Sequence, residues 1–289
     1  MACTLGQMRL RNRLPIKPLR ILSVLLAIGS TICAQEGSDA EQSIAAWEKS
    51  ATFFPNEALA GFRELGGDLE TGPREARFGY AVALLSAVPS TEGRLNQAER
   101  IFRSLADSGD DNFGQGSRFL LGRLAQIYRS PSDPDTAAGH FQGLIDDHPN
   151  TRWGQMSLVK LAMVLIYAKP DAGSPEERIA MGKELLEKTT NRDSRRDLNL
   201  IIASAHFHYN LDPTGAVGFL IAAEEEGDLD VGTRSDVLIR IGELLVLSGR
   251  PKEAIVYYQR FVDDFYGAAR RYAVEQKILA LESGEETIP

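Results

Sequence analysis

A small residue returns along this chain at a nearly fixed interval. Ala58, Ala98, Ala137, Ala180, Ala216 and Ala254 lie 40, 39, 43, 36 and 38 residues apart. Each sits in a stretch whose large apolar side chains recur every three or four positions, the period of one helix face. Two helices approach closely only where one of them offers a small side chain, so a recurring alanine predicts a recurring close crossing. The stretches are parted by short turn-forming clusters such as Gly66-Gly67-Asp68, Ser108-Gly109-Asp110-Asp111, His148-Pro149-Asn150 and Asp212-Pro213. No run joins period-two alternation to β-branched enrichment, so no sheet is predicted. The expected fold class is all-α.

The segment from Ser235 to Tyr266 carries the pattern most fully. Leu238, Ile241 and Leu245 are the large residues of a first helix, with the small Gly242 among them. Gly249 ends that helix, and Ala254, Tyr258 and Phe261 mark a second. This resembles the 34-residue tetratricopeptide repeat, with Phe261 where the family usually has Ala and Tyr266 where it usually has Pro. Upstream, Leu200, Ala203, Ser204 and Phe207 pair with Ala216, Leu220 and Ala223. Leu121, Gly122 and Ala125 pair with Ala137, Phe141 and Leu144. Leu158, Leu161, Ala162 and Leu165 pair with the helix at Ile179–Leu186, and Phe78, Ala81 and Leu85 with Ala98, Phe102 and Leu105. A first pair lies around Trp47 and Ala58–Phe62. The resemblance implies a right-handed α-solenoid of about five to six antiparallel helix pairs, with a C-terminal capping helix from Gly267 to about Leu281. Its repeat-defining small residues are Gly122, Ala137, Ala162, Ser204, Ala216, Gly242 and Ala254.

The first 34 residues differ from the rest. They hold Arg9, Arg11, Arg13, Lys17 and Arg20 and no acidic side chain, followed by the apolar Ile21–Gly29 and small residues to Ala34. That is the order of a secretory signal peptide, and the apolar run is well short of the roughly 20 residues a spanning helix needs. Cleavage after Ala34 is expected, leaving 35–289 as the repeat domain, exported to the periplasm or associated with the outer membrane. Both cysteines, Cys3 and Cys33, fall in the leader, so no disulfide framework is expected in the mature chain. Lipidation at Cys33 is the alternative; Ile32 is large for the position before a lipidated cysteine, and membrane contact is expected only if the chain is lipidated or in a complex. Without the leader, 27 basic residues face 40 acidic ones. An excess of acid repels phosphate backbones, so no nucleic acid partner is expected.

The search for chemistry finds little. His206 and His208 are two apart and point away from each other on a helix, whereas a shared metal wants a spacing of four. The acidic Asp107–Asn112 turn lacks the late glutamate of a calcium loop. Glu224-Glu225-Glu226 reads as an exposed helix end. No nucleophile elbow or phosphate loop is present, and no catalytic residue, metal or cofactor is expected. In the repeat family the first helices line a concave groove. The resemblance carries that role to Phe119, Arg123, Gln126 and Ile127; Val159, Met163, Ile166 and Tyr167; Ile201, Ala205, His208 and Tyr209; and Ile239, Glu243, Val246 and Leu247. Of these, Arg123, Gln126, Met163, Tyr167, His208, Tyr209 and Glu243 are the expected contacts with a protein partner. Exported proteins of this build resemble the Tol–Pal accessory proteins and the BamD-type outer-membrane assembly lipoproteins. The expected function is therefore a non-enzymatic scaffold of the bacterial cell envelope, with a lipoprotein-like structural component as the alternative.

Overall fold

The computed structural model describes residues 38–284. The leader, the cleavage site after Ala34 and Cys33 lie outside the described residues. Among those described, the chain is all-helical, with thirteen α-helices and no strand. It forms two compact units that divide between Leu121 and Gly122.

The first unit holds α1 (Ser38–Ala51), α2 (Pro55–Glu64), α3 (Arg74–Ser86), α4 (Glu92–Asp107) and most of α5 (Asn112–Arg123). Proline at the first position starts α2, where the missing N–H costs nothing. The Thr91 side chain accepts from the Arg94 N–H to start α4. Helix α3 packs against both α2 and α4, and every residue from Ala76 to Leu85 is buried. Its core is aromatic: Trp47 meets the Phe62 ring edge-on at 4.9 Å, and Phe78 meets Phe102 at 5.9 Å. The Trp47 indole N–H and the Ser43 hydroxyl both donate to Glu75, at 3.0 and 2.7 Å, fixing α1 to α3.

The second unit begins at Gly122, near the end of α5, which a single π turn, Leu124–Tyr128, continues. There follow α6 (Pro134–Asp147), α7 (Arg152–Met163) with a second π turn at Val164–Ala168, α8 (Pro175–Glu187), α9 (Arg192–His208), α10 (Val217–Glu226), α11 (Val231–Leu247), α12 (Pro251–Asp264) and α13 (Arg271–Ser283). Sequence neighbours pack as antiparallel partners, α9 with α10 and α11 with α12 most extensively, and α13 closes on α12. The closing helix thus starts four residues later than Gly267, beyond a short turn.

The reason for the glycine in α11 is geometric. A β-carbon at Gly242 would stand 2.3 Å from Cε1 of Tyr258 on α12, so the ring occupies space that any other residue would fill. Gly122 makes the same room for Phe141, at 2.7 Å. At the end of α11, Gly249 has a φ of +69°. Its N–H donates to Val246 and the next N–H, from Arg250, donates to Leu245, the left-handed close of a helix.

Glu225 is exposed as expected of a helix end, but Glu224 and Glu226 are not. Glu224 is buried and accepts from Arg234 and Arg260, at 3.3 and 2.9 Å. Glu226 accepts from Arg195 at 2.7 Å, and Arg192 donates to its carbonyl. Acidic side chains at a helix C-terminus oppose the helix dipole; here four arginines from α9, α11 and α12 offset that cost, which sequence spacing alone does not reveal.

These glycines give opposite expectations for one substitution. Gly242→Ala should destabilise by roughly 1–3 kcal/mol through overpacking against Tyr258. Gly139→Ala, on α6 with nothing within 4 Å of the added carbon, should stabilise by about 0.5–1 kcal/mol. Denaturant unfolding of the two variants beside the parent measures both, and shifts of the same sign would refute this packing.

Candidate functional site

The polar side chains of the second unit gather where successive first helices meet, and most of them serve the main chain. Helices α7 and α9 lie side by side. The Tyr167 hydroxyl, in the second π turn, donates to the Ile201 carbonyl at 2.8 Å. A π turn leaves carbonyls free of their usual partners. One of them, Ile166 O, accepts from the Tyr209 hydroxyl and from Arg178 Nη1 at 3.1 Å. Arg178, buried on α8, lays its guanidinium 4.7 Å over the Tyr209 ring. His208 is exposed and stands edge-on to both tyrosines, 5.1 Å from the Tyr167 ring and 4.7 Å from Tyr209. Burial pushes the Tyr167 phenol well above its usual range, so its hydroxyl stays a donor.

The same seam has a hub in Gln155, fully buried near the start of α7. Its amide donates to Pro149 O at 2.7 Å and Lys188 O at 3.3 Å, and its oxygen accepts from the Thr190 N–H at 2.7 Å. The Ser194 hydroxyl returns a bond to Gln155 O at 3.1 Å. The turn before α7 and the turn after α8 thus meet on one side chain. A lone glutamine in an apolar helix is the only hint the sequence offers.

A charged group lies further along the first helices, also unforeseen. Lys160, in the middle of α7, is only 5% exposed. Burial, aided by the nearby Arg123, lowers its pKa to about 8, against the pull of Asp197. Burial likewise lowers Arg123 and raises Asp197. Arg123 donates to Gln126 Oε1 at 2.5 Å, and Asp197 is bound by Arg196 at 2.9 Å. Arg123, Lys160 and Asp197 recur 37 residues apart, one on each of three first helices; that interval is the signal by which they could have been found.

The expected contact residues therefore divide. Arg123 and Gln126 are half-buried and bonded to each other, Met163 is half-buried, and His208 is open. Tyr167 and Tyr209 have their hydroxyls engaged with the main chain. Glu243 accepts from Lys277 of the closing helix at 2.9 Å. Phe119, Val159, Ile166, Ala205 and Ile239, expected on the groove, are buried instead. Of the small residues, Ala137, Ala162, Ala216 and Ala254 are fully buried, Gly122 and Gly242 receive rings, and Ser204 is half-buried.

The histidines separate as helical geometry requires. His206 packs 6.3 Å from the Phe219 ring with Nδ1 3.3 Å from the Asp212 carbonyl, and burial lowers its pKa. Among the described residues no group of three or more His, Cys, Asp or Glu could hold a metal ion. Within the Asp107–Asn112 turn, Asp111 is bound by Arg74 at 2.7 Å and Asp110 by Arg118 at 2.8 Å. No described helix is long and apolar enough to cross a membrane. An open depression beside Val231, Ser235, Phe265 and Tyr266 lies at the turn before α13, apart from the Arg123–Lys160 group. No model of a known protein family matches the chain, and no curated protein matches it.

Two predictions follow from the seam. Tyr167→Phe and Tyr209→Phe should each lower stability by about 0.5–1.5 kcal/mol, the net worth of one hydrogen bond; unchanged melting in both would mean the hydroxyls are free. For Lys160, a pKa lowered from 10.5 to about 8 means the folded state disfavours the charged amine. That cost, about 3 kcal/mol, is present in full below pH 8, fades as pH rises toward 10.5, and is absent above it. Lys160→Met should thus raise stability most at pH 7 and progressively less toward pH 10. A gain that does not vary with pH would overturn the assignment.

Proposed function

We propose that the chain is an exported, non-enzymatic scaffold of the bacterial cell envelope, periplasmic or associated with the outer membrane. In this reading its tetratricopeptide-like helix pairs form a right-handed solenoid, and its first helices hold a protein partner. The observation that carries the proposal is the seam of α7 and α9. Tyr167 and Tyr209 tie one first helix to the next through main-chain carbonyls, leaving His208 exposed at the edge of both rings. Side chains mounted on a locked helical surface lose little freedom on binding, the condition under which aromatic and arginine residues dominate an interface. The basic leader with its short apolar run supports export.

Cross-linking of the full chain in the cell, followed by mass spectrometry, tests this. Arg123→Ala and His208→Ala should each weaken capture of the partner by roughly tenfold. Lys252→Ala and Gln259→Ala, exposed on α12, should leave it unchanged, and the exported chain should begin at Gln35. Capture lost only through Tyr266 or Tyr272 would make the helices a spacer and favour the structural alternative.

A further inference from the structure

The closing helix α13 turns its basic side chains toward the body of the chain. Lys277 donates to Glu243 of α11 at 2.9 Å, and Arg271 donates to the Val262 carbonyl of α12 at 2.9 Å and to Glu275 at 2.7 Å. Arg270, just before the helix, donates to Asp236 at 2.6 Å. Val274 and Ile278 are buried in the core shared with α11 and α12. What is left for the outer face is uncharged. Tyr272, Ala273, Gln276, Leu279, Ala280 and Ser283 recur at spacings of three, four and seven, which places them on one side of a helix. Tyr272 is 71% and Leu279 56% exposed; Ala273, Gln276 and Ser283 are exposed, and Ala280 is half-buried. A helix that closes a row of helices needs a polar outer face to stay soluble alone. This one offers a stripe without a charge.

We propose that the stripe is a contact between two copies of this chain, paired through α13 about a two-fold axis at Gln276. The argument is the order of large and small residues along it. A two-fold axis brings the second helix in antiparallel and sets positions equally distant from 276 opposite each other. Tyr272 then falls opposite Ala280 of the second copy, and Leu279 opposite Ala273. Both large side chains meet alanines, the rule that seats Tyr258 at Gly242 within the chain. Gln276 meets its own image, and an amide carries both donors and an acceptor, so the two bond reciprocally. A helix shaped like α12 suits this face less well. It would bring a ring such as Tyr258 to the middle of the crossing, where α11 has a glycine and α13 has Gln276. The pairing goes beyond the scaffold reading and does not depend on it.

Sedimentation velocity of the full chain over a concentration series tests the pairing. The parent should pass from monomer to dimer as its concentration rises. Gln276→Lys and Gln276→Glu each set like charges against each other on the axis and should weaken dimerisation at least tenfold. Mixed in equal amounts, the two variants should recover it, because opposite charges then meet. Ala280→Glu, opposite Tyr272, should also weaken it, and Lys252→Glu on α12 should not. These positions lie at the surface, so the helical signal and melting of each monomer should stay as in the parent. A parent that remains monomeric at every concentration overturns the proposal, as does a dimer that survives the single substitutions at 276 and 280. Variants that lose the dimer without regaining it on mixing would place α13 against another surface of the second copy and overturn the two-fold arrangement.

Discussion

Where α11 meets α12, the Tyr258 ring lies in the space a β-carbon at Gly242 would need, and the geometry of the whole helix pair follows from that missing atom. Ring and notch fix how far apart the two helices stand and where along each other they sit. With that distance set, Leu238, Ile241, Leu245 and Phe261 meet in one core with Ala254. Gly122 and Phe141 repeat the arrangement at the start of the second unit, and Gly79 opens the same kind of room for Phe62 in the first, where a β-carbon would stand 2.4 Å from the ring. Close-packed interiors tolerate neither a gap nor an extra methyl at such a point, so the register of each crossing is tightly specified.

Polar side chains then join one pair of helices to the next. The bonds Tyr167–Ile201, Arg192–Glu226, Arg270–Asp236 and Lys277–Glu243 each span 34 residues. Most of the exposed pairs contribute little individually in water. The buried ones differ in kind: Gln155, Arg178 and Glu224 satisfy main-chain groups or charges that would otherwise be stranded at a helix end. Their role is to make each junction specific.

The sequence made the helices legible because their apolar spacing is strong and their turns are marked by glycine, proline and aspartate. The small residues at Gly242 and Ala254 announce a close crossing for the same reason. What it concealed was anything set by a partner far away in the chain. Glu243 reads as an inward-facing acid until Lys277 of the closing helix is placed against it. Glu224 reads as solvated until Arg234 and Arg260 converge on it. Tyr167 and Tyr209 look like contact residues because a tyrosine tip is polar. That their hydroxyls are consumed by main-chain carbonyls depends on the π turns, and a five-residue irregularity inside a helix leaves no distinct signature in composition. Lys160 stands within an apolar run, where its long stem fits and its charge does not.

The two π turns have a consequence for how chains of this kind vary. A π turn is a one-residue insertion absorbed within a helix without breaking it. Removing one residue from Val164–Ala168 would restore an ordinary α-helical ladder. It would also swing the tail of α7 by about 100° and withdraw the Ile166 carbonyl from Tyr209 and Arg178. The loop that follows could shorten or lengthen with little effect, whereas this segment cannot change by one residue alone. Length changes among kindred chains should therefore accumulate in the turns and spare these five residues. A template of constant period laid along the chain would slip out of step at each such place, even though the helices on either side keep the same packing.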